Sequence, residues 1–163
     1  MTKRLILILF YIVTINCNSQ EINIGINGGL IPLDKTVYPT LGGTFEYRPK
    51  NAIFSINTDP FFLFYQRNVI LTEPIYLKFI IGSKFRVCPA AGGFVRSTRS
   101  YGWLLGLNFE YLMKDKFILF SKNEFYQDYW KDQYYDHVGG PGTYINHSNS
   151  LLFSVGLKMM LKK

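Results

Sequence analysis

Between Tyr101 and Leu112 the chain changes character at every residue. Trp103, Leu105, Leu107, Phe109 and Tyr111 share one parity, and Gly102, Leu104, Gly106, Asn108 and Glu110 share the other. Side chains of a strand point alternately to opposite faces, whereas a helix would scatter these residues around its axis, so the segment reads as a β-strand with one bulky apolar face and one small or polar face. What the bulky face touches, a protein core or lipid, has to be decided from the rest of the chain.

The N-terminus bears on the compartment. Lys3 and Arg4 precede an apolar run from Leu5 to Ile15, too short for a membrane helix but suited to the core of a secretory signal peptide. Cys17 and Ser19 are small residues three and one before a cut between Ser19 and Gln20, which defines a signal peptide over 1–19 and a mature domain over 20–163. The rival reading makes Cys17 the lipidated first residue of a lipoprotein, although Asn16 fits poorly before it. Either way Cys88 lacks a disulfide partner in the mature chain, which excludes a disulfide-stapled module.

A mature chain of about 144 residues makes one domain. No later stretch reaches the length of an apolar membrane helix, so any span must be β. The 17% aromatic content and 14 glycines favour an all-β chain with tight turns. The formal charge of +7 is spread along the sequence and shows no clustered basic stripe, which argues against nucleic acid and leaves a role at an anionic lipid surface open.

Eight candidate strands follow: Glu21–Ile31, Pro39–Arg48, Ala52–Leu63, Thr72–Gly82, Phe85–Arg96, Tyr101–Leu112, Phe117–Gln127 and Ser150–Leu161. The last alternates as clearly as the sixth. The phase of the seventh is ambiguous, because Ser121 and Asn123 compete with Lys122 and Glu124 for the polar side, and Pro89 in the fifth predicts a bulge. Each segment matches the roughly 9 to 11 residues of a tilted membrane strand. Short turns are expected at Pro49-Lys50-Asn51, Ser83-Lys84 and Met113–Lys116. Longer connections are expected at Pro32–Tyr38, Phe64–Leu71 and Asp128–Asn149, with only Ser97–Ser100 short on that side. Unequal rims and an even strand count predict an eight-stranded antiparallel up-and-down transmembrane β-barrel.

In lipid the sheet must close and turn its apolar side outward. Glu46, Arg48, Lys78, Arg86, Glu110 and Lys158 fall on the opposite face and are expected to form a lumenal ion network in which Glu110 takes Arg48, Lys78 or Arg86 as partner. Eight strands leave an interior just wide enough for side chains to fill, so the expected lumen is plugged. Tyr38, Tyr47, Phe61, Phe62, Tyr65 and Tyr111 are expected at the interfacial girdles. Aromatic and charged residues mix in the segment 128–149, which marks Tyr129, Trp130, Tyr134, Tyr135 and His137 as a candidate surface-contact loop.

The segment Glu73-Pro74-Ile75-Tyr76-Leu77-Lys78-Phe79, the glycine-rich Ala90-Ala91-Gly92-Gly93-Phe94, and an alternating C-terminal strand behind a signal peptide resemble the small outer-membrane β-barrel proteins of Bacteroidota, similar in turn to porin-like and OmpA-type transmembrane barrels. The terminal aromatic usual in that group is absent, since the chain ends Leu161-Lys162-Lys163. The resemblance implies a monomer in the outer membrane of a Gram-negative cell, with membrane lipid and the barrel assembly machinery as partners. It implies a structural or surface-interaction role toward lipopolysaccharide or another surface partner, and no cofactor.

Two other classes are weighed against this. Some eight-stranded barrels are lipid A deacylases with a His-x-Ser pair; here the nearest matches, His137-Val138-Gly139 and His147-Ser148-Asn149, lack the serine or its spacing, so no nucleophile is assigned. His137 and His147 with Asp132 and Asp136 are too sparse for a closed metal ligand set. Gly139-Gly140-Pro141-Gly142 lacks the context of a phosphate loop and reads as a loop breaker. A soluble periplasmic barrel, with its apolar face turned inward around a ligand, is the remaining alternative.

Overall fold

The computed structural model describes residues 21–33, 36–114, 116–136 and 140–162. The expected signal peptide, the Cys17 alternative and His137 lie outside the described residues. The described elements are all β: β1 Glu21–Leu33, β2 Thr36–Arg48, β3 Phe54–Thr58, β4 Phe61–Tyr65, β5 Asn68–Phe79, β6 Ile81–Gly82, β7 Phe85–Arg96, β8 Tyr101–Met113, β9 Phe117–Asp136 and β10 Gly140–Lys162. All pairings are antiparallel, and the last strand returns to the first, with Ile24 opposite Met159 and Gly28 opposite Val155.

Ten segments make eight staves. β3 and β4 meet β2 in one continuous register, Phe45 opposite Thr58 and Thr40 opposite Leu63. The expected strand Ala52–Leu63 is therefore a single stave interrupted at Asp59-Pro60, because proline has no N–H for the ladder. The Pro60 carbonyl still accepts a bond from the Gly43 N–H at 2.9 Å. β5 and β6 likewise face β7 in one register, Lys78 opposite Ala90 and Ile81 opposite Val87.

Pro89 does not produce the expected bulge. The β7–β8 register runs through Pro89 opposite Leu107 without a shift. On its other side the ladder lapses between Lys78 opposite Ala90 and Ile81 opposite Val87, where Pro89 offers no N–H. The register shift lies instead at the closing seam, between Ile22 opposite Lys162 and Asn23 opposite Met160.

The expected long connections are also corrected, because most of their residues are strand. β1 reaches Leu33 and β2 starts at Thr36; β4 ends at Tyr65 and β5 starts at Asn68; β9 runs to Asp136 and β10 starts at Gly140. These polar and aromatic stretches satisfy their backbone by pairing, yet they show no apolar alternation that would mark them as strand. The candidate loop 128–149 is thus a β-hairpin. Its two strands pair from Met159 opposite Phe117 to Gly140 opposite Asp136. β8 accompanies β9 only to Tyr101 opposite Tyr129, and β1 accompanies β10 only to Leu30 opposite Phe153. Seven residues of β9 therefore project beyond β8 as a two-stranded ribbon, about 20 Å at strand rise.

Alternation sorts the ring into two faces. Trp103, Leu105, Leu107 and Tyr111 point outward and are 39 to 52% exposed, whereas Leu104, Asn108 and Glu110 are buried inside. The ambiguous strand resolves with Lys122, Glu124, Tyr126 and Asp128 inward and Ser121 and Asn123 outward. Interior bulk is accommodated by glycines on the adjoining stave: Phe61 lies over Gly42, Tyr76 over Gly92, Phe94 over Gly102 and Phe120 over Gly156. A Cβ at Gly102 would run into the Gln127 carbonyl and lie 2.8 Å from Phe94 Cζ. Gly102→Val is therefore expected to lower stability by about 1–3 kcal/mol, read as a fall in the urea midpoint of the refolded protein. An unchanged midpoint would show that the wall has slack there.

Candidate functional site

The closed sheet brings four distant residues to one level of its interior. Glu46 comes from β2, Lys78 from β5, Glu110 from β8 and Lys158 from β10, each on the inward parity of its strand. Lys78 Nζ lies 2.8 Å from Glu46 Oε2 and 2.6 Å from Glu110 Oε1. Lys158 Nζ lies 2.6 and 2.5 Å from the same two oxygens. The result is a square of alternating charge, every side chain at most 2% exposed. An isolated charge at such a site costs several kcal/mol, and here each ammonium touches two carboxylates.

Toward the rim that carries the chain termini, Arg86 Nη1 lies 3.8 Å from Glu110 Oε2 and 3.6 Å from Glu21 Oε1. Arg48 sits apart from the square: it pairs with Glu21 at 3.4 Å and donates to the Ala52 carbonyl at 2.8 Å. Glu110 therefore meets Lys78, Lys158 and Arg86, and Arg48 serves Glu21.

Further in, Asp59 accepts from both Lys122 and the Tyr76 hydroxyl. Tyr126 donates to Glu124 at 2.9 Å. Arg96 pairs with Asp128 at 2.9 Å and lies 5.1 Å from the Phe94 ring centre. The sequence pattern alone assigns none of these residues to the lumen. The phase of Ser55-Asn57-Asp59, carried through Pro60, would have found Asp59 and Phe61; Lys122 and Glu124 were hidden by the polar Ser121 and Asn123 on the outer face.

Beyond the charged levels the interior turns apolar, with Ile31, Phe61, Leu63, Phe94, Leu104 and Leu152 gathered around Tyr126. Phe61 and Phe94 meet the Tyr126 ring edge-on at 6.0 and 5.0 Å. The girdle assignment of Phe61 is thereby corrected: it is 2% exposed and inside, because its parity is that of Asp59. Tyr38 and Tyr65 also pack against this cluster, their rings 4.6 Å apart. Phe62 and Tyr111 do face outward, and Tyr47 is half-buried opposite Ile22.

On the projecting hairpin, the Trp130 indole N–H and Asn146 Nδ2 both donate to Asp132 Oδ2, at 3.1 and 2.6 Å. The Tyr129 and Tyr101 rings are tilted to one another with centres 6.2 Å apart, and Tyr134 and Tyr135 lie opposite Gly142 and Pro141. His147 and Ser148 are consecutive and exposed, hence on opposite faces of β10. Among the described residues no three His, Cys, Asp or Glu side chains gather as a metal site.

No protein-family model matches the chain, and no curated protein matches it in sequence. Solved structures do. Neisserial surface protein A superposes with a TM-score of 0.62 at 8% identity, covering 87% of this chain and 97% of that one. A de novo designed transmembrane β-barrel gives 0.59 at 9% identity over 90% of this chain and 100% of that one. A major outer membrane protein from Thermus thermophilus gives 0.53 at 10% identity over 88% and 100%. At such identities the likeness is one of fold, and the fold is that of a small outer-membrane-type β-barrel.

Proposed function

We propose that the chain is a non-catalytic outer-membrane barrel with a structural or surface-interaction role, its lumen closed and its β9–β10 hairpin the element that meets a partner outside the cell. The observation that carries the membrane reading is the inverted distribution of polarity. Outward positions such as Ile26, Leu41, Ile75, Leu105 and Val155 are 52 to 70% exposed, while Glu46, Lys78, Glu110 and Lys158 are inside. A soluble monomer exposes apolar patches of at most a few hundred Å². A continuous apolar wall around a closed sheet fits hydrocarbon, where backbone groups must be paired within the protein. The soluble alternative would need the apolar face inward, and the wall argues against it.

Closure of the lumen is supported by the filled interior, with the ion square toward the end that carries the termini and the apolar cluster, with the Arg96–Asp128 pair beside it, toward the other. The hairpin is favoured as the contact element because its ribbon leaves the ring and carries Trp130, Tyr134 and Tyr135. Expressed from its gene, the protein is expected in the membrane fraction, with a heat-modifiable electrophoretic shift; recovery in the soluble periplasm would overturn the assignment. Deleting residues 134–144 is expected to preserve that shift and to abolish adhesion of expressing cells to purified lipopolysaccharide or host-cell surfaces. Adhesion equal to that of the intact protein would remove the hairpin from this role.

A further inference from the structure

The turns on the rim that carries the termini each hold exposed lysine: Lys50 after β2, Lys84 before β7, and Lys114 and Lys116 between β8 and β9. They are scattered over the sequence, and the up-and-down order of the staves gathers them around one rim. β10 ends there as well, at Lys162.

Nothing else in the described protein offsets this charge. Inside, the carboxylates of Glu21, Glu46, Asp59, Glu110, Glu124 and Asp128 are matched in number by Arg48, Lys78, Arg86, Arg96, Lys122 and Lys158, so the interior is neutral. On the opposite rim Arg67, Arg99 and Lys131 are accompanied by Glu73, Asp132 and Asp136. On the lysine rim Glu21 is held by Arg48 and Arg86, and Asp115, between two lysines, leaves its turn positive. The excess positive charge of the barrel is thus concentrated on one end. One of these lysines also shows where the membrane edge falls: Lys84 Nζ is 5.6 Å from the ring centre of Tyr111, an outward aromatic 41% exposed at the margin of the apolar wall. An amphipathic ring under an ammonium is the arrangement found at headgroup level.

We propose that the rim of Lys50, Lys84, Lys114 and Lys116 binds the anionic headgroups of phospholipids in the leaflet it borders. The proposal rests on the membrane reading. Basic residues near an anionic surface each attract charged headgroups, and several on one rim enrich charged lipid around the barrel.

The test is refolding into vesicles of phosphatidylcholine containing one fifth phosphatidylglycerol, followed by extraction and analysis of the lipid retained on the barrel. The intact protein is expected to retain phosphatidylglycerol at about two to three times its bulk proportion, and to lose the enrichment in high salt. The quadruple variant Lys50→Gln, Lys84→Gln, Lys114→Gln, Lys116→Gln is expected to return to bulk proportion while keeping its heat-modifiable shift. Arg67→Gln, Arg99→Gln, Lys131→Gln on the other rim is expected to change little. Retained lipid at bulk proportion in the intact protein, or equal loss in both variants, overturns the lysine rim while leaving the membrane reading intact. A chain that enters neither these vesicles nor pure phosphatidylcholine fails the membrane reading itself.

Discussion

Glu110→Leu is expected to destabilise the refolded barrel by about 3–5 kcal/mol, since it leaves Lys78 and Lys158 buried with one carboxylate between them and Arg86 close by. Adding Lys78→Met should recover much of that loss, because Glu46 and Lys158 then remain as a matched pair at 2.6 Å. Breaking a buried pair costs far more than replacing it whole. Equilibrium urea unfolding in lipid vesicles, followed by tryptophan emission, measures both variants. If single and double variants lose the same amount, the square is not an electrostatic unit and its members act only by packing. The contrast is diagnostic because the four residues share partners, so their effects should not add.

The second large effect concerns passage through the barrel. The intact protein is expected to show no current steps in planar bilayers, because Phe61, Leu63, Phe94, Leu104 and Tyr126 fill the interior opposite the ion square. Phe61→Ala with Phe94→Ala removes both rings that meet Tyr126. Each truncation alone costs about 3–5 kcal/mol in a packed core. The heat-modifiable shift therefore has to be checked first, with Leu104→Ala as the milder variant if folding fails. A folded double variant should admit water and pass small ions, read as discrete current steps. Steady conductance by the intact protein would sink the closed lumen.

The strand faces were legible because alternation survives wherever two unlike media flank the sheet. Tyr101–Leu112 and Ser150–Leu161 show it at full strength, and their inward and outward residues are those read from parity. Parity also brought Glu46, Lys78, Arg86, Glu110 and Lys158 to one face, but strand phase cannot say which staves bring side chains level, so the square and the removal of Arg48 from it required register. Phe61 was expected at the girdle as an aromatic near a strand end, but the inward phase of Ser55, Asn57 and Asp59 runs on through Pro60 and carries it inside. Lys122 and Glu124 were obscured by Ser121 and Asn123, polar residues on an otherwise apolar wall. The hairpin strands were missed for a related reason: above the rim both faces meet the same solvent, and the period-two contrast has nothing to record. The lysine rim was invisible in sequence, where its members are separated by whole hairpins.

The seam between β1 and β10 joins residues at opposite ends of the chain, Ile24 with Met159 and Ile26 with Leu157. Hairpins elsewhere in the ring can form as soon as their turn exists, but this ladder has no local precursor, and contacts of such separation are slow to find. Until it forms, the sheet carries two open edges, the kind of template on which strands of other molecules grow. A translation product shortened by β10 would keep the earlier turns, the notches at Gly42, Gly92 and Gly102 and most of the wall, yet lose Gly156 and Lys158 together with closure. Pairing of β10 with β1 thus seals the edge and completes the charge balance of the interior in one event, and a chain without that strand fails both at once.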